Sequence, residues 1–479
     1  MLLTLAFRNL LVKPGRALVL LLGFGLGVGV MIVLLSVGEA MVNQSRDVSL
    51  VGGGEITVLP EGIDVEAMRT GGLSGMFFTI DRARFVTRQL LGGPRWSQEV
   101  RAVSPSLEHK LAYLSVNGSV VPVRAGGELP SRSAAVGAQF EVLSGSWTDT
   151  PADSTFAFPS ATALYHELDR FHFNPTGDST WAEWQYYNIE VAPEEWWYLT
   201  LLVGGQVPAG RWGGEVLITR RTPDGGYRQY TSMASPDRIR IDTTSADLTV
   251  GRGSVTQSGG IYHLRIEPVE GVSADLTIHP SANRYFPPVI LRDDELISGY
   301  VVPALSATAS GSICVADRCR TLDRVPAYHD HNWGVWRGVS WDWGSARGAE
   351  FNLLYGGVHA PDNGGPGGSS SFVALVDSLG VRQIFRAAGI RYAGSRAVPG
   401  LPGVVAPTGF SFEAVRDGDS VSVSARIADV HATGRPGVRG IVYFLQMRGN
   451  FTLKGWVGGQ AITDSGSGFF ETYVGREQH

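Results

Sequence analysis

The order of apolar and polar positions divides the chain into an apolar N-terminal run, a mixed segment and a long region of alternating residues. From about residue 147 onward, apolar–polar alternations are separated by glycine- or aspartate-containing turn clusters at hairpin spacing. A period of two is typical of strands with one buried face. Because roughly 330 residues of such a pattern exceed one small barrel, we expect two barrels or sandwiches.

Four pairs of alternating runs predict individual hairpins. In each pair, a short turn containing glycine joins two runs of strand-forming residues. The pairs are 215–222 with 227–233, 247–256 with 261–266, 410–415 with 420–427, and 441–447 with 451–457. Before this region, residues 81–92 begin with an aspartate and end in Gly-Gly-Pro, which predicts a capped helix. With short strands at 56–59 and 120–123, this helix predicts a small mixed α/β module.

Residues 17–38 form an uncharged apolar run that predicts a transmembrane helix. Its 22 residues, at about 1.5 Å each, span a hydrocarbon core about 30 Å thick. Basic residues precede the run, so the N-terminus is predicted to lie in the cytoplasm of a bacterium and the rest outside it, after a single pass through the inner membrane. A cleaved signal peptide is the alternative, because residues 38–40 offer small residues at cleavage spacing.

Composition narrows the classes of function. A net charge of -5 argues against a nucleic-acid-binding protein, and 43% hydrophobic residues argue against disorder. Two cysteines exclude a disulfide-rich scaffold and a four-cysteine metal site. Cys314 and Cys319 flank a two-residue turn that would place them opposite each other as a non-hydrogen-bonded pair. We therefore predict a structural disulfide, which an oxidising location outside the cytoplasm would favour.

The segment 328–344 carries the densest set of candidate functional residues, with four tryptophans, two histidines and two aspartates. In an extended strand, alternate side chains point to opposite faces. One face would carry His329, His331 and Trp333. The other face would carry Tyr328, Asp330 and Asn332. We expect one triplet to enter a barrel and the other to face outward or to pack under a neighbouring element.

Three interpretations of this segment remain open. A metal could bind the His-x-His pair, with Glu350 or His359 as an arbitrary third ligand. The histidines and aspartates could instead satisfy each other in a tryptophan-lined barrel. Finally, an aspartic acid kept neutral by burial could protonate an alkene, and tryptophan rings would stabilise the carbocation. We favour a ligand or catalytic role of the last type and predict neither a metal nor a cofactor.

A second aromatic cluster lies in the first part of the β region. Alternation places Trp196 and Tyr198 on one strand face and Trp197 on the other. Core packing and the lining of an apolar pocket are both open for these residues. The residues that we expect to line a ligand site are Trp196, Trp197, Tyr198, Tyr328, Asn332, Trp336, Trp341 and Trp343.

Residues 150–475 resemble the family of AttH and the carotenoid 1,2-hydratases, which are also called hydroxyneurosporene synthases. The resemblance rests on Glu-Trp-Trp-Tyr-Leu at 195–199, Tyr-His-Asp-His-Asn-Trp-Gly at 328–334, Trp-Asp-Trp-Gly at 341–344, and the glycine-rich segment 466–472. It implies two lipocalin-like β-barrels. In the hydratases of this family an isoprenoid double bond is protonated and water is added.

The same resemblance implies site residues. Asp330 falls on the acid of the motif, His331 and Trp333 fall on positions of interest in the hydratases, and His329 completes the motif. The hydratases also carry a Tyr-x-Asp element further on. The nearest candidate here is Tyr355, which is followed by two glycines and no aspartate.

The N-terminal 45 residues resemble the first transmembrane helix of macrolide-exporter-type ABC permeases, through an Arg-Asn-Leu segment that precedes the apolar run. Such permeases cross the membrane three more times, and the sequence has no second apolar run of 18 residues. The resemblance implies an anchor and an association with ABC transporter subunits, in which the chain could also act as an accessory subunit docked through its glycine-rich helix.

We therefore predict a mostly β protein whose two lipocalin-like barrels follow one transmembrane helix and a small α/β module. We expect it to bind an apolar isoprenoid or lipid outside the cytoplasm; hydration or cyclisation of an isoprenoid double bond is the alternative. The predicted parts are 1–45 (cytoplasmic N-terminus and anchor), 46–145 (α/β module), 146–308 (first barrel) and 309–479 (second barrel).

Overall fold

The structure is a computed structural model, which describes most of the chain in two compact units. The first unit is Met1–Thr79 with Val100–Ala157, and the second is Ile80–Glu99 with Phe158–His479. The described residues are 14–46, 56, 58, 80–137, 145–157, 168–173, 175–293, 296–336, 340–359, 371–387, 389–437 and 440–475. The strand predicted at 56–59 lies largely outside them.

The first unit contains helices and one hairpin. Its elements are α1 (Pro14–Arg46), β1 (Ser106–Val116), β2 (Ser119–Glu128), α3 (Pro130–Ala135) and α4 (Pro151–Ala157). The strand predicted at 120–123 is part of β2, which pairs with β1 in antiparallel register. Judged over the residues that the structure describes, no helix is both long enough and apolar enough to span a membrane. The structure thus gives no support to the span predicted at 17–38, which stays a prediction from the sequence.

The second unit begins with α2 (Ile80–Gly92), which confirms the helix predicted at 81–92, and continues with a curled antiparallel sheet of twelve strands. The strands of this first barrel are β3 (Trp181–Ala192), β4 (Glu195–Gln206), β5 (Arg211–Arg221), β6 (Tyr227–Ala234), β7 (Ile239–Ile241), β8 (Leu248–Val250), β9 (Gly253–Ser258), β10 (Ile261–Val269), β11 (Val272–Pro280), β12 (Phe286–Asp293), β13 (Leu296–Val315) and β14 (Arg318–Val335). Strand β3 pairs with β14, which brings residues about 150 positions apart side by side.

The second barrel is closed, because β18 pairs with β22. Its strands are β15 (Ser340–Gly348), β16 (Asn352–His359), β17 (Ser371–Asp377), β18 (Gly380–Ala387), β19 (Arg391–Ala393), β22 (Gly409–Arg416), β23 (Asp419–Gly437), β24 (Gly440–Val457) and β25 (Gln460–Gly475). A two-stranded ribbon of β20 (Arg396–Ala397) and β21 (Val405–Ala406) accompanies it. The expectation of a mostly β protein with two barrels is confirmed.

Each barrel encloses its own apolar core, and a third apolar layer lies between the barrels. This inter-barrel layer contains Tyr186, Tyr198 and Tyr328 from the first barrel and Trp343 and Phe469 from the second. Aromatic side chains bury large apolar areas, so the layer contributes strongly to holding the barrels together. It also covers one face of β14.

A cationic sandwich supports the edge of the inter-barrel layer. The Trp196 ring lies between the guanidinium groups of Arg221 and Arg448, at 4.6 Å and 4.3 Å from the ring centroid. Arg221 forms an ion pair with Asp429, and Arg448 lies 3.4 Å from Glu190. Because these pairs join residues of different barrels, they fix the two barrels in register.

Two of the predicted hairpins are wrong in detail. The hairpin expected around residues 448–450 is a continuous strand, β24. Gly449 does not form a turn but allows the neighbouring strand to approach closely, because a Cβ there would lie 2.1 Å from the carbonyl oxygen of Arg426. The run 247–256 is interrupted by a turn between β8 and β9. The domain boundary predicted at 308/309 falls inside β13, and the change of barrel comes after β14.

Gly356 allows two aromatic rings of the inter-barrel layer to pack against the backbone of β16. A Cβ at this position would lie 2.6 Å from Trp343 Cε3 and 2.9 Å from Phe372 Cε1. We predict that Gly356→Ala lowers the free energy of unfolding by about 1–3 kcal/mol through overpacking. Gly177→Ala is the matched control, because nothing lies within 4 Å of its Cβ. Denaturant unfolding that gives equal stabilities for both variants would contradict this packing.

Candidate functional site

One face of β14 carries two buried histidines into contact with two buried carboxylates. His329 Nε2 lies 2.9 Å from Asp169 Oδ2, and His331 Nδ1 lies 2.9 Å from Asp169 Oδ1. His331 Nε2 lies 2.9 Å from Glu183 Oε1 on β3. All four side chains are fully buried. Because buried charges persist only when they are paired, this histidine–carboxylate network joins β14, β3 and the segment before β3.

The network shifts the pKa values of His331, Asp169 and Glu183 toward their charged forms. Burial alone would lower the pKa of His331, but hydrogen bonds and charges of Asp169 and Glu183 raise it to about 9. Burial alone would raise the pKa values of Asp169 and Glu183, yet the neighbouring histidines hold both below their usual range. The network is thus an ion cluster with largely compensated charge.

The opposite face of β14 points into the inter-barrel layer, as the alternation predicts. Tyr328 Oη donates a hydrogen bond of 2.8 Å to Asp330 Oδ2, and Asn332 Nδ2 donates one of 2.7 Å to Asp330 Oδ1. The carboxyl is 3% exposed. Burial raises the pKa of Asp330 to about 6, although the hydrogen bonds from Tyr328 and Asn332 oppose the shift.

A second carboxyl, Glu471 of β25, enters the same layer from the second barrel. Trp341 Nε1 donates a hydrogen bond of 3.2 Å to Glu471 Oε2. Burial, together with the nearby charge of Asp330, raises the pKa of Glu471 to about 8. Two carboxyl groups whose environments separate their pKa values are the usual arrangement of an acid and a base.

Half-buried aromatic rings border this carboxyl pair and form what we call the aromatic cluster. The Trp341 ring lies 5.5 Å from Trp336, 5.5 Å from Phe444 and 4.8 Å from Tyr473, measured between centroids, and Trp184 lies 4.7 Å from Trp336. Since Trp341 also bonds Glu471, the cluster is directly connected to the carboxyl pair. Such a surface can hold an apolar or cationic group against a proton donor.

The other predicted site residues fall into four places. Trp343 lies in the inter-barrel layer with Trp196 and Tyr198. Its Nε1 donates a hydrogen bond of 3.2 Å to Tyr328 Oη. Trp197 lies in the core of the first barrel. Trp333 stacks on His172 at 3.6 Å. Tyr355 is placed in the core of the second barrel, packed against aromatic rings.

The sequence analysis missed four residues of the site, namely Asp169, His172, Glu183 and Glu471. Asp169, His172 and Glu183 lie far from the histidine motif in the chain, and only the pairing of β3 with β14 brings Glu183 beside it. Glu471 could have been noticed, because it lies within the glycine-rich segment 466–472 that carries the family resemblance.

The two cysteines form a disulfide. Cys314 is the last residue but one of β13 and Cys319 is the second residue of β14, and they lie opposite each other in the register of that hairpin. The bridge closes the turn of the long hairpin whose second strand carries the histidine motif. Its position far along β14 from His331 agrees with a structural role.

Comparison with known proteins gives only distant structural similarity. No family model matches the chain, and no curated protein matches it. An AttH-like protein of Nitrosomonas europaea, NE1406, is 15% identical over 64% of this chain and 98% of its own, with a TM-score of 0.45. Kievitone hydratase of Nectria haematococca is 13% identical over 66% and 94%, with a TM-score of 0.41. CghA is 12% identical over 63% and 90%, with a TM-score of 0.42. The fold therefore rests on the strand pairing described above.

The raised pKa of Glu471 makes stability depend on pH. The folded state binds the proton of Glu471 more tightly than the unfolded chain does. The stability gained from this protonation is complete below pH 4.5 and is lost as the pH rises to about 8. We predict that Glu471→Gln becomes more stable than the wild type as the pH rises from 5 to 8, by about 3–5 kcal/mol in the free energy of unfolding. Glu413→Gln, an exposed carboxyl of the same barrel, should show no such trend. If the free energy of unfolding of the wild type and both variants changes in parallel with pH, the burial of an ionisable Glu471 would be contradicted.

Proposed function

We propose that the inter-barrel layer binds an apolar, unsaturated ligand and that Glu471 and Asp330 catalyse acid–base addition of water to its double bond. The supporting observation is the pair of buried carboxyls with unequal pKa values beside the aromatic cluster. An isoprenoid or lipid is the proposed class of ligand, because apolar aromatic rings border the carboxyls. The reaction class is that of a hydratase.

The proposed mechanism assigns one role to each carboxyl. Glu471, neutral at pH 7, donates its proton to one alkene carbon, and the carbocation forms against the face of Trp341. Asp330, held by Tyr328 and Asn332, accepts a proton from the water that attacks the cation. The product is an alcohol, and return of the proton from Asp330 to Glu471 through solvent completes the cycle. The sequence alone suggested Asp330 as the acid; here it acts as the base.

Binding without chemistry is a second candidate that uses the same surface. The half-buried aromatic cluster supports it, because such rings bind apolar groups whether or not a proton is transferred. The two candidate functions differ only in whether the carboxyl pair converts the bound ligand into a product.

Three proposals concern where the protein acts in the cell. The Cys314–Cys319 disulfide supports an oxidising location outside the cytoplasm. Anchoring through residues 17–38 and association with ABC transporter subunits rest on the sequence alone and stay predictions.

The identity and the fate of the ligand can be measured together. We predict that native mass spectrometry of the full chain, purified from its own cells, detects an apolar molecule at near-stoichiometric occupancy, and that the wild type incorporates ¹⁸O from labelled water into it. Glu471→Gln and Asp330→Asn should each lower the turnover rate by about 10²–10⁴-fold and retain binding.

Glu413→Gln is the control and should retain full turnover. Binding without isotope incorporation would leave the binding function alone. A protein that is empty and fails to take up apolar probes would overturn both candidates.

The two pKa values also predict the pH profile of the reaction. Asp330 must be ionised to accept a proton, so activity should rise as the pH increases through about 6. Glu471 must be protonated to donate, so activity should fall as the pH increases through about 8. We expect kcat/KM to follow a bell between these values. A profile that rises steadily to pH 9 would contradict Glu471 as the acid.

A further inference from the structure

The histidine–carboxylate network contains a set of nitrogen and oxygen atoms suited to a metal ion, on the face of β14 opposite the proposed catalytic pair. His172, Glu183 and His331 each direct one ligand atom into a common space, and these atoms lie within 4.8 Å of one another. We propose that these three side chains bind a divalent transition-metal ion of the Zn²⁺ type. The proposal is independent of the hydratase function.

The spacing of the ligand atoms is close to that of a tetrahedral site. His331 Nε2 lies 2.9 Å from Glu183 Oε1, and His172 Nδ1 lies 3.5 Å from the same oxygen. Zinc–nitrogen and zinc–oxygen bonds of about 2.0–2.2 Å place tetrahedral ligand atoms roughly 3.3–3.5 Å apart. These two separations lie within about half an ångström of that value, and all three ligand atoms lie within 4.8 Å of one another. Two imidazoles and one carboxylate are a ligand set that Zn²⁺ and its neighbours in the first transition row favour.

His172 is held in a position that its own hydrogen bonding does not explain. Its ring stacks on Trp333 at 3.6 Å with an interplanar angle of 16°, and its backbone N–H donates to Glu183 Oε1. Its Nδ1 is buried and faces Glu183 Oε1 at 3.5 Å without a well-formed hydrogen bond. A buried imidazole nitrogen whose hydrogen bond is poorly formed costs free energy, and a metal bond would satisfy it.

The neighbours of the three ligands orient them as outer-shell groups of metal sites do. Asp169 Oδ1 accepts a hydrogen bond from His331 Nδ1, which leaves Nε2 available for the metal. Glu183 Oε2 accepts a hydrogen bond of 2.8 Å from the backbone N–H of Phe173, which fixes the carboxylate. The ion would replace the proton shared between His331 and Glu183, so metal binding would release that proton.

The site has three protein ligands and a side open toward the surface. His172 has a side-chain exposure of 15%, whereas Glu183 and His331 are fully buried. A metal would thus reach the site past His172, and a fourth coordination position would remain for water or another small ligand.

Metal titration of the full chain tests the proposal. After dialysis against a chelator, Co²⁺ should bind with one-to-one stoichiometry and give the visible absorption bands of a tetrahedral site, and Zn²⁺ should displace it. His172→Ala removes one ligand and leaves the bonds among Asp169, His331 and Glu183 intact, so it should weaken Co²⁺ binding at least 100-fold. His279→Ala, an exposed histidine of β11, is the matched control and should bind as the wild type does.

Unfolding measurements distinguish lost ligation from lost structure. Zn²⁺ should raise the melting temperature of the wild type and of His279→Ala but not of His172→Ala, whose metal-free stability should remain near that of the wild type. If His172→Ala does not fold, His172→Gln takes its place. No one-to-one binding, or equal affinity of the wild type and the folded His172 variant, would overturn the proposal and leave a closed ion network.

Discussion

The structure of the site depends on the pairing of buried charges around β14. Asp169 and Glu183 are fully buried, and a histidine of β14 stabilises each of them there at a distance of 2.9 Å. An uncompensated carboxylate at that depth would cost several kcal/mol. The requirement fixes the register of β14 against β3, and with it the positions of the residues on the other face of β14.

The same strand therefore serves two environments that differ chemically. Its histidines face buried carboxylates, which raise the pKa of His331 to about 9. Its aspartate, Asp330, faces an aromatic layer, where burial raises the carboxyl pKa to about 6. One residue of displacement along the chain changes which chemistry a side chain can perform, because the strand alternates between the two sides.

The inter-barrel layer brings together a pair of carboxyl groups, one from each barrel. Asp330 comes from the first barrel and Glu471 from the second, and the charge of one contributes to the raised pKa of the other. The Arg221–Trp196–Arg448 sandwich holds this pair of surfaces together. The proposed proton donor and proton acceptor therefore require both barrels in a fixed relation.

The sequence by itself determined the local features. Alternation established the β class, the two faces of 328–333 and the opposition of Cys314 and Cys319, because these follow from strand geometry within a few residues. It failed where a glycine mimics a turn: Gly449 lies inside β24 because another strand approaches its backbone. Only the tertiary structure brought Glu183 to His331 and Glu471 to the layer of Asp330, since antiparallel pairing over more than a hundred residues leaves no local pattern. Burial, which sets the pKa values of these groups, is likewise a property of the folded chain alone.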